Sequence, residues 1–428
     1  MATRRVSAEF HQFRRRGRMT VVNEASIDLP DFSDPATFAD QVPHEAFDQV
    51  RSMSGLYWQP TEYGTLREGF WLATRFADIV AVEAKSQEVT CKQGFNFPLN
   101  ILSESPEQAE FNSHMLMRKD PPDHGRMRRV AAAAFGPRVV ARFDGWIRDI
   151  VNEALDSALA KPEFDWVVEV GKYIPSRVVA RVLGVADDRI EDVVDWTDAV
   201  FAVSSEADAG AKQSEAAQAL YMYCAELQQA KLRAPDDDVA TALAQAVERG
   251  DLNDTEFLTF IGLLLVAGYE TTHTLINHSM RLIVENDEIR KYAGDALEEG
   301  TVDRLVDEFL RYITPAMNMA RIATTDFEIA GTTIRKDDMI QLMFVAANRD
   351  PAVFSRPHEF DPHRPETATL TFGSGPHRCL GSALAKLELR ILFEQLAERG
   401  VKLELNGEPK RGWSAWINQL HSLPVRVV

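Results

Sequence analysis

Phe372-Gly373-Ser374-Gly375-Pro376-His377-Arg378-Cys379-Leu380-Gly381 is the stretch on which the reading of this chain turns. A glycine-rich turn delivers a cysteine to the start of a helical pattern over 380–399. Backbone N–H groups at a helix start favour negative charge, so a thiolate is stabilised there. Glycines let the backbone approach a flat ligand closely. No Cys or His stands beside Cys379 at zinc spacing, so the residue is not a zinc ligand. Two readings stay open at this point: a single axial bond to haem iron, and the buried structural cysteine that is the default for a lone thiol.

Two further stretches break local rules. Residues 254–285 carry the longest helical pattern, capped by Asn253 or Asp254 and supported by Glu256. Such a helix spans roughly 45 Å, and its apolar centre, Phe260 to Ala267, predicts burial on every side. Yet Ala267-Gly268-Tyr269-Glu270-Thr271-Thr272 places a glycine and polar groups in that centre. This conflicts with helix propensity and with burial, as happens where function overrides stability. The other stretch is Glu308-Phe309-Leu310-Arg311, where the acid and the base share a helix face. Alone, that spacing describes a solvated surface pair.

Phe372, Gly373, Gly375, His377, Cys379 and Gly381 together resemble the haem-binding loop of the cytochrome P450 superfamily, the haem-thiolate monooxygenases. The resemblance runs from Gly69-Phe70-Trp71 through Ala347-Asn348-Arg349-Asp350-Pro351 to Leu423-Pro424-Val425. It departs in Pro376, which stiffens the turn. It implies a mainly α fold with small β-sheets: a triangular, helix-rich single domain, 21–428, around one buried haem b. Cys379 is then the axial ligand of the iron. Ala267 and Gly268 leave room over the iron, and Glu270 with Thr271 deliver protons; back-bonding of a threonine to its own helix is assigned instead to Thr272. His124, Arg128, Arg321 and His377 hold the haem propionates. Glu308, Arg311 and Arg364 form a buried structural triad. Phe95, Phe97, Leu99, Leu263, Val266, Ala316, Met317, Met319 and Ile417, with Asn418 nearby, wall an apolar substrate cavity.

The activity implied is insertion of one oxygen atom from O2 into a C–H bond of a lipophilic small molecule, terpenoids or steroids first. Electrons come from an external ferredoxin and ferredoxin reductase, because the chain holds no flavin or iron–sulfur domain of its own. Two alternatives stand beside it: a peroxide-driven peroxygenase, against which Glu270 and Thr271 speak, and a non-catalytic haem protein that binds a small ligand.

Composition bounds the rest. The 428 residues are 45% hydrophobic and 26% charged, the balance of a globular protein. The net charge of −18 argues against nucleic acid and against an anionic membrane surface. Residues 1–18 hold six arginines and one acid, Glu9, so the remainder carries −23. That basic segment, 1–20, reads as a disordered arm. No run reaches the ~20 apolar residues of a membrane span. Three cysteines (Cys91, Cys224, Cys379) make no disulfide framework, and the chain reads as cytoplasmic. An acidic ferredoxin would have to dock on a local basic patch, assigned to Arg128, Arg129, Arg378 and Lys386.

Overall fold

The computed structural model describes residues 29–102, 104–132, 134–201 and 209–428; the basic arm lies outside them. Asp31–Val428 is one compact unit built mainly of helices. Among the described residues twelve short strands accompany them. These are β1 (Tyr57–Pro60), β2 (Gly69–Ala73), β3 (Val89–Thr90), β4 (Glu163–Asp165), β5 (Met319–Ala323), β6 (Phe327–Ile329), β7 (Thr332–Ile334), β8 (Met339–Leu342), β9 (Leu403–Leu405), β10 (Lys410–Arg411), β11 (Leu420–Ser422) and β12 (Pro424–Val427). The largest sheet has the order β1-β2-β8-β5-β3, with β2 and β8 parallel. In it Arg321 pairs with Ile340, so the sheet fixes where that guanidinium starts. A second sheet runs β4-β12-β9, and β6-β7 and β10-β11 form hairpins.

The central helix covers Asp254–Glu285. Asn253 Oδ1 accepts from Glu256 N at 2.8 Å, and Glu256 Oε2 accepts from Asn253 N at 3.0 Å, a reciprocal cap. Glu256 is buried, and Arg126 closes an ion pair on it while donating to the Asp251 carbonyl. Arg126 thereby neutralises the first turn of the central helix. Burial pushes the Glu256 carboxyl up, but Arg126 and the Asn253 N–H outweigh it and hold it below the usual range.

The centre of this helix is not covered on every side. Leu263, Val266 and Thr271 are half-buried and Ala267 is exposed, while Phe260, Ile261, Leu265 and Tyr269 are buried. The uncovered residues recur at three- and four-residue spacing and form one stripe. Gly268, beside Ala267, is half-buried, and a Cβ there would stand 2.9 Å from Val179 Cγ2 on the helix Tyr173–Leu183, so this glycine serves close helix packing. Gly262 does the same against Tyr221 Cε1, at 2.9 Å.

Pro35–Phe38 is a short 3-10 turn and His44–Ser52 a separate helix. Pro43, which lacks an N–H and has a fixed φ, stands between them. The stretch 91–113 ends in a helix, Pro106–Ser113, closed by a Ser105–Gln108 capping box.

Glu308 and Arg311 stand on the helix Val302–Ile313, and Arg364 comes from the coil before the cysteine loop. All three are buried. Glu308 binds Arg311 at 2.7 and 2.8 Å and Arg364 at 3.0 Å, and also accepts from Asp361 N at 2.7 Å. Arg311 donates to the carbonyls of Asn348, Pro357 and Glu359.

Two outcomes are predicted. Arg364→Met leaves the buried Glu308 with one guanidinium in place of two and should cost about 3–5 kcal/mol, read by denaturant unfolding; loss under about 1 kcal/mol would show the carboxylate is not desolvated. Arg126→Ala should lower Tm at pH 7. Because Glu256 is held below its ordinary value of 4.5, the wild-type advantage is present above that pH and fades as pH falls through the depressed value.

Candidate active site

The cysteine loop is set by its own backbone and by two neighbours. Cys379 N donates to Phe372 O at 2.8 Å and Arg378 N to Gly375 O at 3.2 Å, closing the turn. Gly373 and Gly375 have φ of 66° and 62°, which side chains resist. A Cβ on Gly375 would also meet the Glu83 carbonyl at 2.9 Å. Asn348 Oδ1 accepts from Leu370 N at 2.7 Å, Thr371 Oγ1 donates to Leu310 O at 2.7 Å, and Gly373 N donates to Leu370 O at 2.8 Å. Since Arg311 holds the Asn348 carbonyl, the loop is tied to the buried triad.

Cys379 presents free surface. Surrounding protein nevertheless pushes its thiol up, while the Gly381 N–H, Arg128 and Arg378 pull it down.

Basic groups gather around this loop. His124 is buried on the helix Asp123–Ala132, its ring 4.1 Å from that of His377. Arg128, one turn on, donates to the Arg378 carbonyl. Burial, with Arg128 and Arg321 nearby, pushes the His124 imidazole down to about 4. Burial, then Arg321, His124 and Arg128, push His377 down to about 2. His124 Nε2 and His377 Nδ1 are buried with no hydrogen-bond partner. Orphaned imidazole nitrogens in a field of like charge mark a place suited to anions.

Arg321 is less free than its sequence context indicates. Its Nη2 binds Glu83 Oε1 at 3.0 Å, and Glu83 Oε2 accepts from Ser374 N at 2.8 Å and from the Ser374 hydroxyl. Burial raises the Glu83 carboxyl against the pull of Arg321 and Ser374. Sequence analysis missed Glu83, though its spacing of four from Ile79 puts it on the buried face of the helix Phe76–Ala84.

On the central helix Thr271 Oγ1 donates to Ala267 O at 2.8 Å, so the back-bonded threonine is Thr271 and not Thr272. Thr271 lies on the uncovered stripe, where its own helix offers the nearest acceptor. Glu270 points elsewhere: it is buried, its Oε1 accepts from Gln419 Nε2 at 2.9 Å, and its Oε2 lies 3.7 Å from His273 Nδ1.

The assigned cavity walls divide. Leu263, Val266, Phe95, Ala316 and Met319 retain free surface. Phe97 is withdrawn among Phe70 and Tyr63, 5.1 and 5.5 Å between centroids, and Leu99 and Met317 are buried, so these three pack the core. Ile417 is buried and bridges to Ala316. In the basic patch, Arg129 and Arg378 are exposed, but Lys386 binds Asp307 at 2.5 Å, which offsets its charge.

Residues 301–399, which hold the triad helix and the cysteine loop, match the family model "Cytochrome P450". Over 367 residues the chain is 33% identical to cytochrome P450 CYP107DY1 of Priestia megaterium, covering 83% of this chain and 89% of that one. It is 27% identical to a steroid C26-monooxygenase of Rhodococcus jostii, covering 96% and 87%. The structure of Mycobacterium marinum cytochrome P450 CYP268A2 with pseudoionone superposes with a TM-score of 0.84 at 28% identity, covering 95% and 100%. A thiol at a glycine-rich turn, cations around it and a helix with one uncovered stripe are thus found on a fold shared with these proteins, and the chain belongs to the cytochrome P450 family of monooxygenases.

Proposed function

We propose that this chain binds haem b through Cys379 and oxygenates a lipophilic small molecule with electrons from a ferredoxin and its reductase. One observation carries the reading: His124, Arg128, Arg321 and His377 converge on the loop that presents Cys379, with two imidazole nitrogens unpartnered. That donor set fits a flat ring bearing two carboxylates and a metal that prefers thiolate. Bound haem supplies dioxygen activation and transfer of one oxygen atom to a C–H bond.

The residues do the rest. Cys379 would hold the metal, and the Gly381 N–H, Arg128 and Arg378 favour its thiolate against the burial that raises the thiol. Arg128 and the two histidines offer charge and hydrogen bonds to the carboxylates; Arg321 does so while sharing its charge with Glu83. Ala267 leaves space on the uncovered stripe. Thr271 presents its hydroxyl there, and Glu270, behind it, holds the proton that Thr271 positions. Leu263, Val266, Phe95, Ala316 and Met319 exclude water from the substrate side. With one relative named for a steroid and one neighbour holding pseudoionone, terpenoid and steroid skeletons are the favoured substrates. Among the described residues no helix is long and apolar enough to cross a membrane.

Thr271→Ala should leave the substrate-induced spin shift intact while product formed per electron pair falls by about 100-fold, the low end of general acid catalysis; full coupling would remove the relay. For docking, Arg129→Glu should slow reduction by ferredoxin and flatten its salt dependence, whereas Lys386→Glu, whose charge Asp307 already offsets, should do less. Equal effects would place the patch elsewhere.

A further inference from the structure

Behind the uncovered stripe, the central helix faces a second set of ionisable groups. Glu270 and His273 lie one turn apart, both buried. Neither ring nitrogen of His273 has a hydrogen-bond partner, and Nδ1 stands 3.7 Å from Glu270 Oε2. Its ring stacks on Tyr269, 5.6 Å between centroids and 7° between planes. The Tyr269 hydroxyl donates to Asp198 Oδ1 at 2.8 Å, and Lys172 holds the other oxygen of Asp198.

The C-terminal hairpin β10–β11 approaches this group from outside. Gln419 donates to Glu270, and His421, two residues along, is exposed. A Cβ on Gly412 would collide with His421 Nε2 at 2.7 Å and with Gln419 Oε1 at 2.8 Å, so the bare glycine lets both side chains sit over it.

We infer that protons reach Glu270 from solvent through His421 and His273, entering at the β10–β11 hairpin. This rests on the reading that Glu270 supplies protons to the oxygenation. Glu270 and His273 from the central helix, Lys172 from the turn before the helix Tyr173–Leu183, and Asp198 from the helix Ile190–Phe201 all act on the ionisation of His421. Burial is the largest influence and lowers its affinity for a proton; Glu270 opposes it. A weakly held proton on a solvent-exposed ring is readily given up and readily replaced. In the transfer an imidazolium N–H bond breaks as an O–H bond forms on the Glu270 carboxylate. The imidazole then regains its proton from solvent, and no electron moves. Tyr269 and Asp198 hold the ring of His273 and the Lys172 charge in place. The two histidines act through Glu270 and touch no reacting atom.

The test uses holoenzyme with substrate and reductase partners, comparing His421→Gln, His273→Gln and Glu270→Gln. His421→Gln should enlarge the solvent deuterium isotope effect on turnover and abolish the pH dependence on the acid side of the ordinary histidine range, where a lowered imidazole titrates. The double variant His273→Gln/Glu270→Gln should be no slower than Glu270→Gln alone. In histidine-labelled protein, the His421 ring titration should move to lower pH in Glu270→Gln, because a carboxylate that raises it is gone. A slow Glu270→Gln enzyme with unchanged isotope effect and pH profile in both histidine variants would overturn the route and spare Glu270. A Glu270→Gln enzyme as fast and as coupled as wild type would overturn the proton-supply reading itself. A His421 titration indifferent to Glu270→Gln would show that the hairpin and the acid are not coupled, and would also overturn the route.

Discussion

A buried carboxylate, Glu308, is the constraint from which the active-site region is built. Its two oxygens are shared among two guanidiniums and the Asp361 N–H, so no lone pair is left to water. Burying a charge costs several kcal/mol unless geometry and hydrogen bonds are complete. Here completeness requires the helix carrying Glu308 and Arg311 and the coil carrying Arg364 to sit in one register. Arg311 spends its remaining donors on the carbonyls of Asn348, Pro357 and Glu359, which pins a coil that has few ladder hydrogen bonds of its own. Asn348 then reaches Leu370, whose carbonyl holds Gly373. The position of the sulfur is therefore referred, through four links, to an ion cluster in the core.

The central helix meets the loop as a two-sided element. One stripe, Leu263, Val266, Ala267 and Thr271, is left uncovered, and the turned-away face carries Glu270 and His273 among tyrosine, lysine and acid. Glycines let neighbouring helices approach, Gly268 against Val179 and Gly262 against Tyr221. Small residues in this segment thus serve two ends. Ala267 opens space toward the site, and Gly268 admits a packing partner. Adjacent residues on a helix point about 100° apart, so such a division needs no distortion.

Much of this was legible in the chain itself. The cysteine loop, the bounds of the central helix with its Asn253 cap, and the pairing of Glu308, Arg311 and Arg364 follow from local spacing plus family resemblance. What was not legible depends on contacts distant in sequence. Nothing beside Gly268 announces Val179, 89 residues earlier. Lys386 reads as a free cation until Asp307 is placed next to it. Phe97, Leu99 and Met317 have the right chemistry for cavity walls, but apolar side chains serve core and cavity equally, and only packing decides. Glu83 carries a periodicity signal, yet its pairing with Arg321 links the helix Phe76–Ala84 to β5, far along the chain.

The charge distribution closes the argument. A chain of net charge −18 gathers the buried His124 and Arg321 and the half-buried Arg128 and His377 around one loop. Burial and the neighbouring guanidiniums make a charge on either imidazole costly there, as the depressed histidines record. Glu83 relieves one of the four, and among the described residues no acid is hydrogen-bonded to the other three. A ligand that brings carboxylates to this place is bound by the groups that otherwise cost stability, and whatever binds only the native state stabilises it by mass action. Cofactor capture and fold stability are then one equilibrium in this protein, with the cysteine loop, tied to Glu308, as the element that both must bring into position.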